Sequence, residues 1–185
     1  MSVVFIAASA IVLFTPGPTN TLMAASGATI GVRKALPLPF AEGAAYAIAI
    51  GVYLEISHHL AGAAYARPFL HAVAAAWLLI SAVKLWRQPA AEARAGAESM
   101  VWRVFATTLL NPKAMLVGTT LIPAMMADRT AVAVACFAGL SLAAGFMWLG
   151  MGSLAPAKVK RNANKAAALV LALFAAATLS SAVAG

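Results

Sequence analysis

Two short stretches of this chain hold the residue types that bind a small charged solute. Phe14-Thr15-Pro16-Gly17-Pro18-Thr19-Asn20 and Leu110-Asn111-Pro112-Lys113 both combine proline with amide or hydroxyl side chains, and the second adds an ammonium. Proline has no N–H to donate and clashes with the preceding turn, so helix cannot run undisturbed through Pro16, Pro18 or Pro112, and the carbonyls of Val12, Phe14 and Thr108 are stranded. A helix restarting at Pro18 would offer the N–H groups of Thr19, Asn20 and Thr21 to an anion. The freed carbonyls upstream would accept hydrogen bonds from an ammonium. One interrupted segment can thus hold both ends of a zwitterion.

A third group lies between them in sequence. At 100° per residue, Tyr46, Ala49 and Tyr53 fall within about 40° of Glu42 on one helix face, giving a stripe of one carboxylate and two phenols. Glu42 is a candidate proton carrier, or a structural ion-pair partner of Lys113. Glu55, His58 and His59 cluster at turn spacing, but their order fits no helical zinc motif and they sit at a helix end, where an interfacial polar cluster is the expected role. No catalytic residue, metal ligand or cofactor is expected. Cys136 reads as a small packing residue, Trp77, Trp86, Trp102 and Trp148 as belt or packing residues, and Ser141 with Gly145 as a small-residue helix contact.

The elements that position these groups follow from composition. Of 185 residues, 63% are hydrophobic and 10% charged, far from the quarter or so of charged residues in soluble domains. A water-soluble fold, a disordered chain and a disulfide-rich module are excluded, and an all-α integral membrane protein is expected. Six apolar stretches approach the roughly 20 residues needed to span a bilayer: Val3 to Ile30, Leu36 to Leu60, Phe69 to Trp86, Val101 to Met126, Ala131 to Leu154 and Ala166 to Ala184. A β-barrel is excluded because the runs are continuously apolar. No Lys or Arg precedes Arg33, so the first stretch lacks the charged start of a secretory signal and is expected to remain as a span.

The chain reads as a single transporter domain, 1–185, with half one at 1–87, a cytoplasmic linker at 88–100 and half two at 101–185. Each half has three spans, and the first span of each, spans one and four, carries the proline break. Because three is odd, the halves enter the membrane from opposite sides and form an inverted pair, the pattern in which paired Pro/Gly-interrupted segments mark a substrate site. Ten bases (Arg33, Lys34, Lys84, Arg87, Arg94, Arg103, Lys158, Lys160, Arg161 and Lys165) flank the connections of one side, against Arg67 and Arg129 on the other. That bias puts both termini outside and accounts for most of the net charge of +8 without nucleic acid. Lys113 is the remaining base, near the bilayer midplane.

With the proline motif at 14 to 20, Thr-Leu-Leu-Asn-Pro-Lys-Ala at 108 to 114, the basic turn Gly-Val-Arg-Lys-Ala-Leu-Pro at 31 to 37 and Lys-Leu-Trp-Arg at 84 to 87, the sequence resembles the lysine exporter (LysE/RhtB) family of bacterial amino-acid translocators along its whole length. The resemblance implies an inner-membrane exporter of amino acids or related small molecules, driven by the proton-motive force. Pro16, Gly17, Pro18 and Asn20 match the first family motif, and Asn111, Pro112 and Lys113 the second. Two features depart from it: Thr19 is inserted before Asn20, and Glu42 stands on a helix that in many members is uncharged there. The expected partners are a small zwitterionic substrate, protons, the lipid bilayer and a second copy of the chain in a homodimer. Two other readings stay open: an intramembrane enzyme, and an exporter of a metal cation or drug on the same scaffold.

Overall fold

The computed structural model describes residues 3–59, 66–87 and 97–184, and among them every regular element is helical. Helix α1 (Val3–Phe14) ends at the first proline motif and α2 (Pro18–Ile30) begins inside it, at a bend of 57°. A single turn, α3 (Val32–Ala35), leads into α4 (Pro37–His59), and α5 (Ala66–Arg87) follows. The second half opens with α6 (Ala97–Leu109) and α7 (Pro112–Leu116), continues through a π-helical turn (Val117–Leu121), α8 (Ile122–Met126) and a 3-10 turn (Ala127–Arg129), and closes with α9 (Thr130–Ser153) and α10 (Ala157–Ala184).

By length and apolarity four helical runs are able to cross a membrane, Val32–Ile56, Pro68–Arg87, Ser99–Ser153 and Ala157–Ser180, with a fifth where the bent pair α1 and α2 counts as one span, against the six expected. The run Ser99–Ser153 has 55 residues, about 80 Å of straight helix and more than twice the hydrocarbon core. It is not straight. Met126 (φ −142°, ψ 29°) and Arg129 (φ −138°, ψ 41°) leave the helical region, and both α6 and α9 pack on α4.

Two apolar clusters fill the interior. One joins the middle of α2 (Leu22, Met23), the start of α4 (Leu38), the end of α5 (Leu85), the first part of α6 (Met100, Val104), the end of α9 (Leu149) and the first two thirds of α10 (Ala163, Leu171). The other joins α1 (Phe5, Leu13), the rest of α4 (Tyr46, Ile50, Leu54), the stretch Ala114 to Met126 and the start of α9 (Ala133, Phe137). The run Ser99–Ser153 therefore leaves the first cluster, enters the second and returns to the first. Arg33, Lys34, Lys84, Arg87, Arg103, Lys158, Lys160, Arg161 and Lys165 all stand near the first cluster in sequence, so these nine of the thirteen basic residues gather at that end of the fold. Helices α2 and α9 touch backbone to backbone: a Cβ added at Gly152 would lie 1.8 Å from the Ala24 carbonyl oxygen.

Several boundaries differ from expectation. The helix of the second half begins at Ala97, inside the expected linker, and residues 88–96, with Glu92 and Arg94, lie outside the described residues. The basic segment Lys158 to Lys165 is part of α10 rather than a loop, because Ala, Lys and Arg are good helix formers and a 28-residue helix extends about 42 Å, longer than the roughly 30 Å of a hydrocarbon core. The two breaks are also unequal. Span one bends sharply at two prolines flanking an extended Gly17 (φ −167°, ψ 176°), whereas at the second motif Asn111 caps α7 with its own side chain and the path stays nearly continuous.

Candidate functional site

The interval between the two clusters is where the polar residues meet. On α1 and α2 it covers residues 14–21, on α4 residues 39–45, on α6 and α7 residues 105–113, and on α9 residues 145–148. Both proline motifs, Glu42 and Gly145 fall inside it. Thr19, Asn20, Glu42, Thr107, Thr108 and Asn111 are buried there, six of the eleven buried polar or charged residues among those described.

At the first break Asn20 repairs the backbone. Its Nδ2 donates to the Leu13 carbonyl (2.7 Å) and to the Thr15 carbonyl (2.9 Å), two groups left free where α1 stops. The Ile11 carbonyl accepts from both the N–H and the hydroxyl of Thr15. The N–H of Thr21 is taken by the Gly17 carbonyl at 2.9 Å, so of the three expected anion-binding amides it is already engaged. At the second break the Thr108 carbonyl, stranded by Pro112, accepts the Asn111 N–H in a tighter turn (3.1 Å), and the Lys113 N–H donates to Asn111 Oδ1 at 3.0 Å.

The breaks bind each other. Asn111 Nδ2 donates to the Thr19 hydroxyl at 2.9 Å, Thr19 and Thr108 share a hydroxyl hydrogen bond at 3.2 Å, and the Thr108 hydroxyl donates to the Val104 carbonyl at 2.8 Å. The Thr108 hydroxyl has one proton for two acceptors, Thr19 and the Val104 carbonyl, and serves one at a time. The Lys113 ammonium donates to the Thr15 carbonyl, across the two motifs. Gly17 makes room for it: a Cβ there would stand 2.8 Å from Lys113 Cε. The acceptors are thus the Leu13 and Thr15 carbonyls rather than the expected Val12 and Phe14 carbonyls, and the one at Thr15 holds the chain's own ammonium.

The α4 stripe faces this network. Tyr46 OH accepts from Asn111 Nδ2 at 3.4 Å, Tyr53 OH donates to the Leu109 carbonyl at 3.3 Å, and the Tyr46 ring meets Phe137 edge-on with centroids 5.2 Å apart. Glu42 is fully buried, and neither carboxylate oxygen has a hydrogen-bond partner. It packs on α9, where a Cβ added at Gly145 would lie 2.6 Å from Oε2. Glu42 and Lys113 act on each other through their charges, yet the Lys113 ammonium bonds to Thr15 rather than to the carboxylate.

Of the expected residues, Thr19, Asn20, Tyr46, Asn111 and Lys113 join directly, Gly17 packs beside Lys113 and Tyr53 reaches the end of α6. Pro18 is buried at the start of α2, Pro112 is half-buried and Pro16 is exposed. Thr107, Thr108 and Gly145 were not among the expected site residues. Trp77, read as belt or packing, donates to the Thr107 hydroxyl at 3.0 Å. The usable sequence signal was the position of Thr108 four residues before Pro112, where a freed carbonyl draws polar neighbours. Glu55 is exposed, and the side chains of His58, His59 and Arg67 lie outside the described residues. Among the described residues no three His, Cys, Asp or Glu side chains group to hold a metal. No protein-family model, curated protein or solved structure matches this chain.

Proposed function

We propose that the chain is a bacterial inner-membrane secondary transporter that exports amino acids or related small zwitterionic metabolites by proton antiport, as a member of the lysine exporter family. In this reading the helices form six spans in two inverted halves, with both termini outside. The run Ser99–Ser153 then supplies spans four and five, and the return of that run to its starting cluster supports the assignment.

One observation carries the function: two interrupted helix segments, 92 residues apart at Thr19 and Asn111, close on each other through polar side chains between two apolar clusters. Buried polar side chains and an ammonium are costly in hydrocarbon, and a fold that only needed stability would fill this layer with apolar side chains. The solute carboxylate binds at Lys113 and the start of α2. Its ammonium takes the Thr15 and Leu13 carbonyls, displacing Lys113 and Asn20, with Glu42 as counter-charge. Proton uptake by Glu42 removes that counter-charge, weakens ammonium binding and couples solute exit to proton entry.

Comparing small-molecule pools of cells with and without the protein identifies the solute, and counterflow in proteoliposomes then tests the coupling. The wild type is expected to move the solute against a proton gradient. Glu42→Gln is expected to exchange solute without responding to the gradient, and Lys113→Ala to lose saturable uptake. Full proton-driven counterflow in both variants would overturn the assignment.

A further inference from the structure

Away from the polar layer, α5 and α10 enclose a groove of about 300 Å³ lined by Leu79, Ala82, Val83 and Trp86 on one side and Ala168, Leu169 and Ala172 on the other, with Arg87 at one end. The two helices run antiparallel, so the end of α5 meets the start of α10. There the Lys165 ammonium stands 5.8 Å from the centre of the Trp86 ring. The groove is apolar along about 12 Å of α5, from Leu79 to Arg87, and its basic end lies beside the first apolar cluster, where Arg33, Lys34 and Arg103 also stand. Neither Pro68–Arg87 nor Ala157–Ala184 contains an Asp or Glu to balance Lys84, Arg87, Lys158, Lys160, Arg161 and Lys165.

We infer that this groove holds an acyl chain of an anionic phospholipid, with the phosphate at the mouth marked by Arg87 and Lys165. The charge pattern selects the occupant. A planar guanidinium binds two phosphate oxygens at once, an ammonium adds a third donor, and a tryptophan ring sits at headgroup level. A zwitterionic headgroup would bring its own ammonium against two helices that carry no carboxylate over Pro68–Arg87 and Ala157–Ala184. A second copy of the chain would bring the same bases against themselves, since a two-fold contact repeats each patch. The site is independent of the transport reading.

Quenching of Trp86 by brominated acyl chains tests the proposal, taken as the fluorescence difference between wild type and Trp86→Phe in mixed vesicles. Brominated phosphatidylglycerol in phosphatidylcholine is expected to quench Trp86 at a lower mole fraction than brominated phosphatidylcholine in phosphatidylglycerol. Each of Arg87→Ala and Lys165→Ala should weaken that preference about fivefold, while Lys34→Ala, elsewhere in the fold, leaves it intact. Equal quenching by the two lipids, or a preference unchanged in Arg87→Ala and Lys165→Ala, would overturn it. So would absent quenching by either lipid with efficient cross-linking between copies carrying Val83→Cys, which would assign the groove to a second copy.

Discussion

Glu42 is the residue whose placement is hardest to explain by stability. A fully buried carboxylate without a hydrogen-bond partner lowers the stability of the fold that contains it, so removing it should cost nothing. Glu42→Met is expected to unfold in detergent at the same temperature as the wild type or higher while losing proton coupling; a fall of several degrees would make Glu42 a structural group. Asn20 is the opposite case. It donates to two carbonyls freed by the break, and Asn20→Ala should cost about 1–3 kcal/mol in reversible unfolding, since both acceptors lose their donor. Gly145→Ala should cost a similar amount, about 1–3 kcal/mol through overpacking against Glu42 and Pro39, whereas Gly139→Ala, with open space around it, should be neutral. Val12 and Phe14 were the carbonyls expected to be freed and Asn20 serves Leu13 and Thr15 instead, but the need for a polar donor beside the prolines was legible. The pairing of Thr19 with Asn111 was not. Nothing local links two residues so far apart, and only the packing of α2 against α6 brings them together.

At the scale of elements, the double proline and the single proline do different work. Pro16 and Pro18 leave an extended linker and a 57° bend, while Pro112 sits at the first position of a helix already capped by Asn111, where its missing N–H is no loss. Pro16→Ala with Pro18→Ala should therefore lengthen α1 through the break and abolish transport without preventing membrane insertion, measured as normal expression with no counterflow. The π-helical turn Val117–Leu121 was not foreseen. It precedes Pro123, whose ring clashes with the turn before it and withholds an N–H from the Thr119 carbonyl, and a wider turn relieves both. Helix existence followed from apolar length alone, but helix ends did not: polar residues such as Lys158 to Lys165 are good helix formers whether they lie in hydrocarbon or at its edge.

The whole molecule is built as two apolar clusters separated by a polar layer, with nine of its thirteen bases beside the first cluster. The six-span reading makes a topological prediction. A tag placed beside Asp128 should be reached from outside the cell, while tags beside Ser99 and Ala155 should be reached from the cytoplasm; one shared side for all three would mean that the run from 99 to 153 does not cross twice. The central claim is that solutes and water reach the two broken segments, and it can be tested before the solute is known. In a Cys136→Ser background, Thr15→Cys and Lys113→Cys are to be labelled with a charged, water-soluble maleimide in sealed vesicles, beside Leu173→Cys, an exposed apolar position within α10. A thiol reacts with such a reagent as thiolate, which forms in water and not in hydrocarbon. The account predicts rapid labelling of Thr15→Cys and Lys113→Cys and none of Leu173→Cys; motif positions as unreactive as Leu173→Cys would contradict it.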